Sequence, residues 1–188
     1  ALMACRGTAA RFVTTFHGTY NRRGPFKKAY NSVMTRGTRV IAISHFIADH
    51  MAEAYGVERR RIRVIHRGVD VNLFDPRNVP AARVVSLAAQ WRLPEDMRVV
   101  MLPGRLTRWK GHALLIEALA RLDREALRCL TVGGGQNGGY RRDLDRLVSR
   151  LGLESVLQFV GDCTDIPAAY MLADVVVSAS TDPEAFGR

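Results

Sequence analysis

Short β-branched runs alternate along the chain with longer stretches in which apolar residues recur every three or four positions. That alternation predicts strands joined by helices in a parallel α/β sheet. In the first part it predicts a strand over Phe12–Phe16, a helix from Pro25 to about Arg36, and a strand over Val40–Ile43. Pro25 suits a first helical turn, where its missing N–H costs nothing. Ser44 is a good N-cap for a helix over His45–Tyr55, and Gly56 stands where a left-handed closing residue is wanted. Ile62–Ile65 reads as a third strand. The next stretch, 67–98, breaks the rhythm with Pro76, Pro80 and Pro94 and leaves one helix, around Ala81–Trp91. A domain boundary is expected here, near Asp75, dividing the chain into 1–75 and 76–188.

The second part is more regular. Strands are predicted over Val99–Leu102, Leu127–Val132, Leu157–Val160 and Val175–Val177, the first and last of them buried. Helices are predicted over Gly111–Leu122, about Tyr140–Leu151, and Asp165–Leu172. Leu115, Leu119 and Leu122 share one face of the first helix, and Gly152 closes the second. This is a β-α-β-α-β-α-β order, a doubly wound unit, in which ligands sit at the carboxyl ends of the strands.

At 188 residues and 47% hydrophobic, the chain can form one ordinary domain or parts of two. No segment approaches the roughly 18 uninterrupted apolar residues of a membrane span. No initiator Met and no signal peptide open it. Both ends read as interrupted, so an internal piece of a longer protein is expected. The net charge of +10 is uneven: residues 1–75 hold 13 Lys+Arg against 5 Asp+Glu, and residues 76–188 hold 15 against 13. A basic first part suits an anionic partner, whether a phosphate-bearing substrate, a membrane surface or nucleic acid, or it reflects a plain surplus of arginine. Cys5, Cys129 and Cys163 are odd in number and far apart, so they suggest neither a disulfide framework nor a zinc site.

The strongest local feature is Pro103-Gly104-Arg105-Leu106-Thr107-Arg108-Trp109-Lys110-Gly111, between a strand and a helix. Glycines let backbone approach a ligand, a helix N-terminus favours an anion, and Arg105 and Lys110 add charge. The combination makes a pyrophosphate cradle. The same two cations would otherwise be solvated loop charges.

Gly104-Arg105 with Lys110-Gly111 resembles the donor-phosphate motif of glycosyltransferase family 4. Other stretches fall in that family's order: Val13–Gly18, Val40–Gly56, Ile62–Asp70, Val132–Gly135 and Asp174–Gly187. The Ile62–Asp70 signature usually ends Asn-Gly-Val-Asp, and this chain has Arg67 in the Asn position. The resemblance implies a GT-B fold of two Rossmann-like, doubly wound parallel-sheet domains, both incomplete here. Residues 1–75 would be the later portion of the acceptor-side domain, and 76–188 the earlier portion of the nucleotide-sugar-binding domain.

It also implies a hexosyl-type transfer from a nucleotide-sugar donor to a glycan or lipid-linked acceptor, of cell-envelope polysaccharide or lipopolysaccharide type, with retention of configuration. No metal or other cofactor is expected, because the cations neutralise the leaving diphosphate. Arg105 and Lys110 would bind that diphosphate. Glu184 would take the donor sugar's hydroxyls, and His17 would lie beside the anomeric centre. Gly104, Gly134, Phe186 and Gly187 would line the nucleotide pocket. The family's second motif glutamate would fall beyond Arg188, so this stretch alone is expected to be inactive. A cytoplasmic location follows from the resemblance, with Arg22, Arg23, Lys27 and Lys28 available for contact with an anionic membrane.

Rival readings rest on single features. Gly133-x-Gly135-x-x-Gly138 with Glu154 superficially matches a dinucleotide fingerprint, which would make a nicotinamide-dependent oxidoreductase. The basic first part could instead be a nucleic-acid-binding module, but aromatic residues are not interleaved with the charges as stacking requires, and no nucleic-acid partner is expected. Asp143-x-Asp145 looks like a metal pair, yet i and i+2 do not share a helix face. His45, His50, His66 and His112 have no metal-ligand spacing and are given no role.

Overall fold

The computed structural model describes residues 1–20, 25–135 and 138–185, without the side chains of Pro25 and Lys28. They form two compact units: Ala1–Gly68 together with the chain from Pro183, and Val69–Asp182.

In the first unit three parallel strands, β1 (Val13–Phe16), β2 (Arg39–Ala42) and β3 (Ile62–Val64), lie in the order β1-β2-β3. Phe16 stands opposite Ala42, and Ala42 opposite Val64. Helices α1 (Pro25–Ser32) and α2 (His45–Tyr55) make the crossovers. Phe16, Val40 and Ala42 from the sheet bury themselves against Ile47 and Met51 of α2. The bounds of α2 are the predicted ones. Ser44 Oγ accepts from the Ile47 N–H at 3.2 Å, and Gly56 turns left-handed at φ 65°. Helix α1 stops earlier than expected and gives way to a 3-10 turn over Val33–Thr35. Ser32 Oγ donates to the Ala29 carbonyl and Thr35 Oγ1 to the Ser32 carbonyl, each at 2.7 Å. Such local bonds compete with the helical ladder.

The second unit carries four parallel strands, β4 (Arg98–Pro103), β5 (Leu127–Val132), β6 (Leu157–Gly161) and β7 (Val175–Val176), in the order β6-β5-β4-β7. Strand residues alternate between two cores. Leu102 and Cys129 pack with Leu115, Ile116 and Leu119 of α4 (His112–Leu119) and Leu144 of α5 (Gly139–Leu151). Met101 and Leu130 pack on the other side with Leu87 of α3 (Ala81–Gln90) and Ala168 and Ala169 of α6 (Ile166–Met171). Helices therefore cover both faces. The chain steps outward from β4 to β5 to β6 and then returns to the far side of β4 as β7. The sheet thus reverses direction between β4 and β7, and in open α/β sheets ligands bind outside the carboxyl ends of the strands at such a reversal.

Two expectations are corrected here. Helix α4 ends at Leu119, where tight bonds from the Arg121 and Leu122 N–H groups to Ala118 and Leu119 close it, and Leu122 is 55% exposed rather than on the buried face. Among the described residues β7 lies at the edge of its sheet, and Val175 and Val176 are each about half exposed rather than buried. Among the described residues, no helix is long and apolar enough to cross a membrane.

Candidate functional site

The turn after β4 sits at the reversal point. It is held by backbone. Gly104 N–H donates to Val132 O at 2.7 Å, Leu106 N–H to Gly134 O at 2.8 Å, and Gly133 N–H to Gly161 O at 2.7 Å. The ends of β4, β5 and β6 are thereby stitched together. A Cβ on Gly133 would lie 2.3 Å from Gly104 O, so these two turns touch without room for a side chain. That close approach, rather than a dinucleotide, accounts for the first glycine of the Gly133-x-Gly135 pattern. Gly111 leads into α4 at φ 73°, and its missing Cβ leaves space for the Ala179 carbonyl, 1.8 Å from where that carbon would be. Only glycine serves there. The Thr181 N–H adds a bond to Trp109 O at 2.8 Å, so the segment after β7 also braces the turn.

The side chains on this frame differ in how they are held. Arg105 is exposed, and its guanidinium makes no ion pair among the described residues. Arg108 is taken: it pairs with Asp143 at 2.6 Å and lies 4.9 Å from the Tyr140 ring centroid, which ties the turn to α5. Lys110 lays its methylenes toward Gly104 and its ammonium 4.4 Å from the Trp109 ring centroid. Gly104, Arg105, Lys110 and Gly134 thus come together at the ends of β4 and β5. Asp143 and Asp145 turn to different partners, Asp145 to Arg141 at 2.8 Å.

Two residues here carried no signal in the sequence. Asp162 follows β6, and its Oδ1 lies 2.9 Å from where a Gly134 Cβ would stand. A cleft of about 350 Å³ opens beside it, lined by Asp162 and Cys163 on one side and Arg83 and Trp91 on the other. His112, the first residue of α4, is fully buried beneath the turn. Burial, helped by nearby Lys110, holds its ring below the usual imidazole range, against the opposing pull of the Thr107 and Gly104 carbonyls. Both carbonyls lie near enough to act on the ring, but neither meets Nδ1 or Nε2 in full hydrogen-bond geometry.

In the first unit the carboxyl ends of the strands carry His17, Ser44, His66 and Arg67. His17 is exposed, and its Nδ1 is 2.9 Å from Arg67 Nη2. A guanidinium can only donate, so Nδ1 accepts and the ring proton sits on Nε2. The arginine standing where the family's Asn is expected therefore fixes the tautomer of His17. His45 and His66 face each other with ring centroids 5.5 Å apart. Ser44 has a second task besides capping α2: its hydroxyl donates to Ala185 O at 2.9 Å. Glu184, beside Ala185, is half-buried and belongs to this unit. Phe186, Gly187, Arg22 and Arg23 lie outside the described residues, as does the side chain of Lys28.

Comparisons with known proteins agree in kind. Residues 1–73 match the family described as Glycosyltransferase Family 4, and residues 86–188 match Glycosyl transferases group 1. Over 159 residues the chain is 30% identical to the D-inositol 3-phosphate glycosyltransferase of Mycolicibacterium smegmatis, covering 82% of this chain but 35% of that protein. It thus spans about a third of that relative's length. Among solved structures it is similar to a glycosyltransferase from Rickettsia africae, with TM-score 0.86 and 38% identity over 99% of this chain and 49% of that one. It is also similar to Anabaena HepE in complex with UDP-glucose, with TM-score 0.81 and 29% identity over 94% of this chain and 48% of that one. The parallel α/β architecture is that of GT-B glycosyltransferases.

Proposed function

The chain belongs to the glycosyl transferases group 1 family, and on that premise we propose that it is part of an enzyme moving a hexosyl group from a nucleotide-sugar donor to a glycan or lipid-linked acceptor. The observation that carries the reading is the backbone-stitched turn between β4 and α4, which presents Arg105 and Lys110 at the point where the sheet reverses. Transfer breaks the bond between the sugar's anomeric carbon and the diphosphate and forms one to an acceptor hydroxyl oxygen. The diphosphate leaves with the electron pair, and preorganised cations stabilise that developing charge. Arg105 grips phosphate oxygens in a fork, and Lys110 adds a compact charge. With both in place the reaction needs no metal. Gly104 and Gly134 let the nucleotide approach the backbone closely.

The resemblance supports the remaining roles: Glu184 for the donor sugar's hydroxyls, His17 for the acceptor, Phe186 and Gly187 for the nucleotide pocket, and retention of configuration. HepE was solved with UDP-glucose, which makes a uridine donor the first to try. In the full-length protein, Arg105→Ala and Lys110→Ala should each weaken binding of a nucleoside diphosphate by about tenfold or more, since a charged hydrogen bond contributes roughly 1.5–3 kcal/mol. Unchanged affinity in both variants contradicts the reading.

A lipid-linked acceptor and a cytoplasmic, membrane-facing site of action draw support from α1. Phe26 and Tyr30, one helical turn apart, are 89% and 80% exposed, with Lys27 exposed beside them. An apolar face edged by cations lies well on an anionic bilayer. The full-length protein should sediment with anionic vesicles and not with zwitterionic ones, and Phe26→Ser with Tyr30→Ser should release it; sedimentation unaffected by the double change would rule out α1 as the contact.

A further inference from the structure

Buried polar atoms without partners are rare in folded proteins, and each one costs stability. His112 carries two of them on a single ring, fully out of water. Thr107 Oγ1, on the turn above, is a third. The rest of this joint is closely fitted: Gly111 against the Ala179 carbonyl, Thr181 onto Trp109, and Arg108 onto Asp143 and Tyr140. An apolar residue of similar size would fill the place of His112 at no polar cost. Thr131 Oγ1 on β5 is likewise unpartnered, but among the described residues His112 carries two such atoms directly beneath the turn, and a local rule broken beside a site points to function.

The acceptors beside the ring belong to the turn itself. They are the carbonyls of Gly104 and Thr107, which lie before and within the Arg105–Lys110 segment. A small shift of the turn would bring one of them into line with a ring N–H. Hydrogen bonds of this kind are often long until ligand draws the site together.

We propose that His112 is a positioning residue of the diphosphate cradle: as an anion draws Arg105 and Lys110 inward, the buried ring donates to the Gly104 or Thr107 carbonyl and locks the turn in the closed form. This rests on the reading of Arg105 and Lys110 as diphosphate ligands. His112 touches no phosphate itself. It acts through the backbone that carries the two cations.

The test uses the full-length protein titrated with UDP, GDP and ADP in turn, continuing with the tightest, beside thermal unfolding without nucleotide. His112→Leu removes both polar atoms. Its Tm should equal or exceed that of the parent by about 3 °C, while nucleotide affinity falls about tenfold. His112→Gln keeps one donor and should bind within about threefold of the parent. Parent-like affinity in His112→Leu, with Arg105→Ala weakened, overturns this inference and leaves the diphosphate reading intact. A fall in Tm that accompanies the lost affinity in His112→Leu, with no rescue by His112→Gln, makes the residue merely structural and overturns it too. A parent that binds none of the three, or an Arg105→Ala variant that binds as the parent does, overturns both readings together.

Discussion

The strand ends of the two units are built in different ways. In the second unit the ends of β4, β5 and β6 are joined carbonyl to N–H, with glycines packed so closely that no Cβ fits at Gly133 or Gly111. In the first unit one backbone bond, Ile65 N–H to Ala42 O at 2.9 Å, is joined at the corresponding ends by side-chain contacts: Arg67 on His17, Ser44 on Ala185, and His45 against His66. Backbone contacts fix a geometry whatever the neighbouring side chains are, whereas side-chain contacts change with every substitution. On the proposed reading the second unit takes the diphosphate, which presents the same shape on every nucleotide sugar, and a cradle shaped by backbone suits it. On the same reading the first unit faces the acceptor, which differs from one transferase to the next, and a rim of exchangeable side chains suits that. The departure of Arg67 from the family's usual Asn is the kind of change such a rim allows.

The largest effect expected from this contrast is at Gly133. A methyl group there would meet the Gly104 carbonyl at 2.3 Å, backbone against backbone, with no flexible side chain to yield. Gly133→Ala should cost about 3 kcal/mol or more in chemical denaturation and abolish nucleotide binding. A loss within about 0.5 kcal/mol would show that the turns are not rigidly joined. A smaller and different effect is expected at Arg67. Arg67→Asn should leave stability within about 0.5 kcal/mol of the parent, because both partners are exposed. It should also leave nucleotide affinity unchanged while releasing the His17 tautomer. The nitrogen chemical shifts of His17 report this directly, and a proton that stays on Nε2 in Arg67→Asn would mean that Arg67 does not set it.

Much of this was legible in the sequence wherever the determinant is local. Ser44 and Gly56 marked both ends of α2, and Gly152 closes α5 at φ 62°. The turn between β4 and α4 could be read because strand, glycine turn and helix are consecutive. What failed depended on neighbours distant in sequence. Val175–Val177 reads as buried, but whether a strand lies at an edge is decided by pairing, and among the described residues β7 pairs with β4 alone. Leu122 keeps the period of its helix after the helix has ended. His112 had no ligand spacing, so nothing marked it until the fold set it under the turn. Asp162 faces Gly134 only through the register of β6 against β5, which the sequence does not state. Arg67 stood out as a departure, but its reach to His17 crosses from the end of β3 to the end of β1.

On the proposed reading the turn after β4 binds a nucleoside diphosphate through Arg105. Calorimetric titration of the full-length protein with UDP, GDP and ADP in metal-free buffer decides it. One of the three should bind tightly, and Arg105→Ala, with an unchanged Tm, should weaken that binding by at least about tenfold. Binding of none of them, or equal binding by parent and variant, would contradict it.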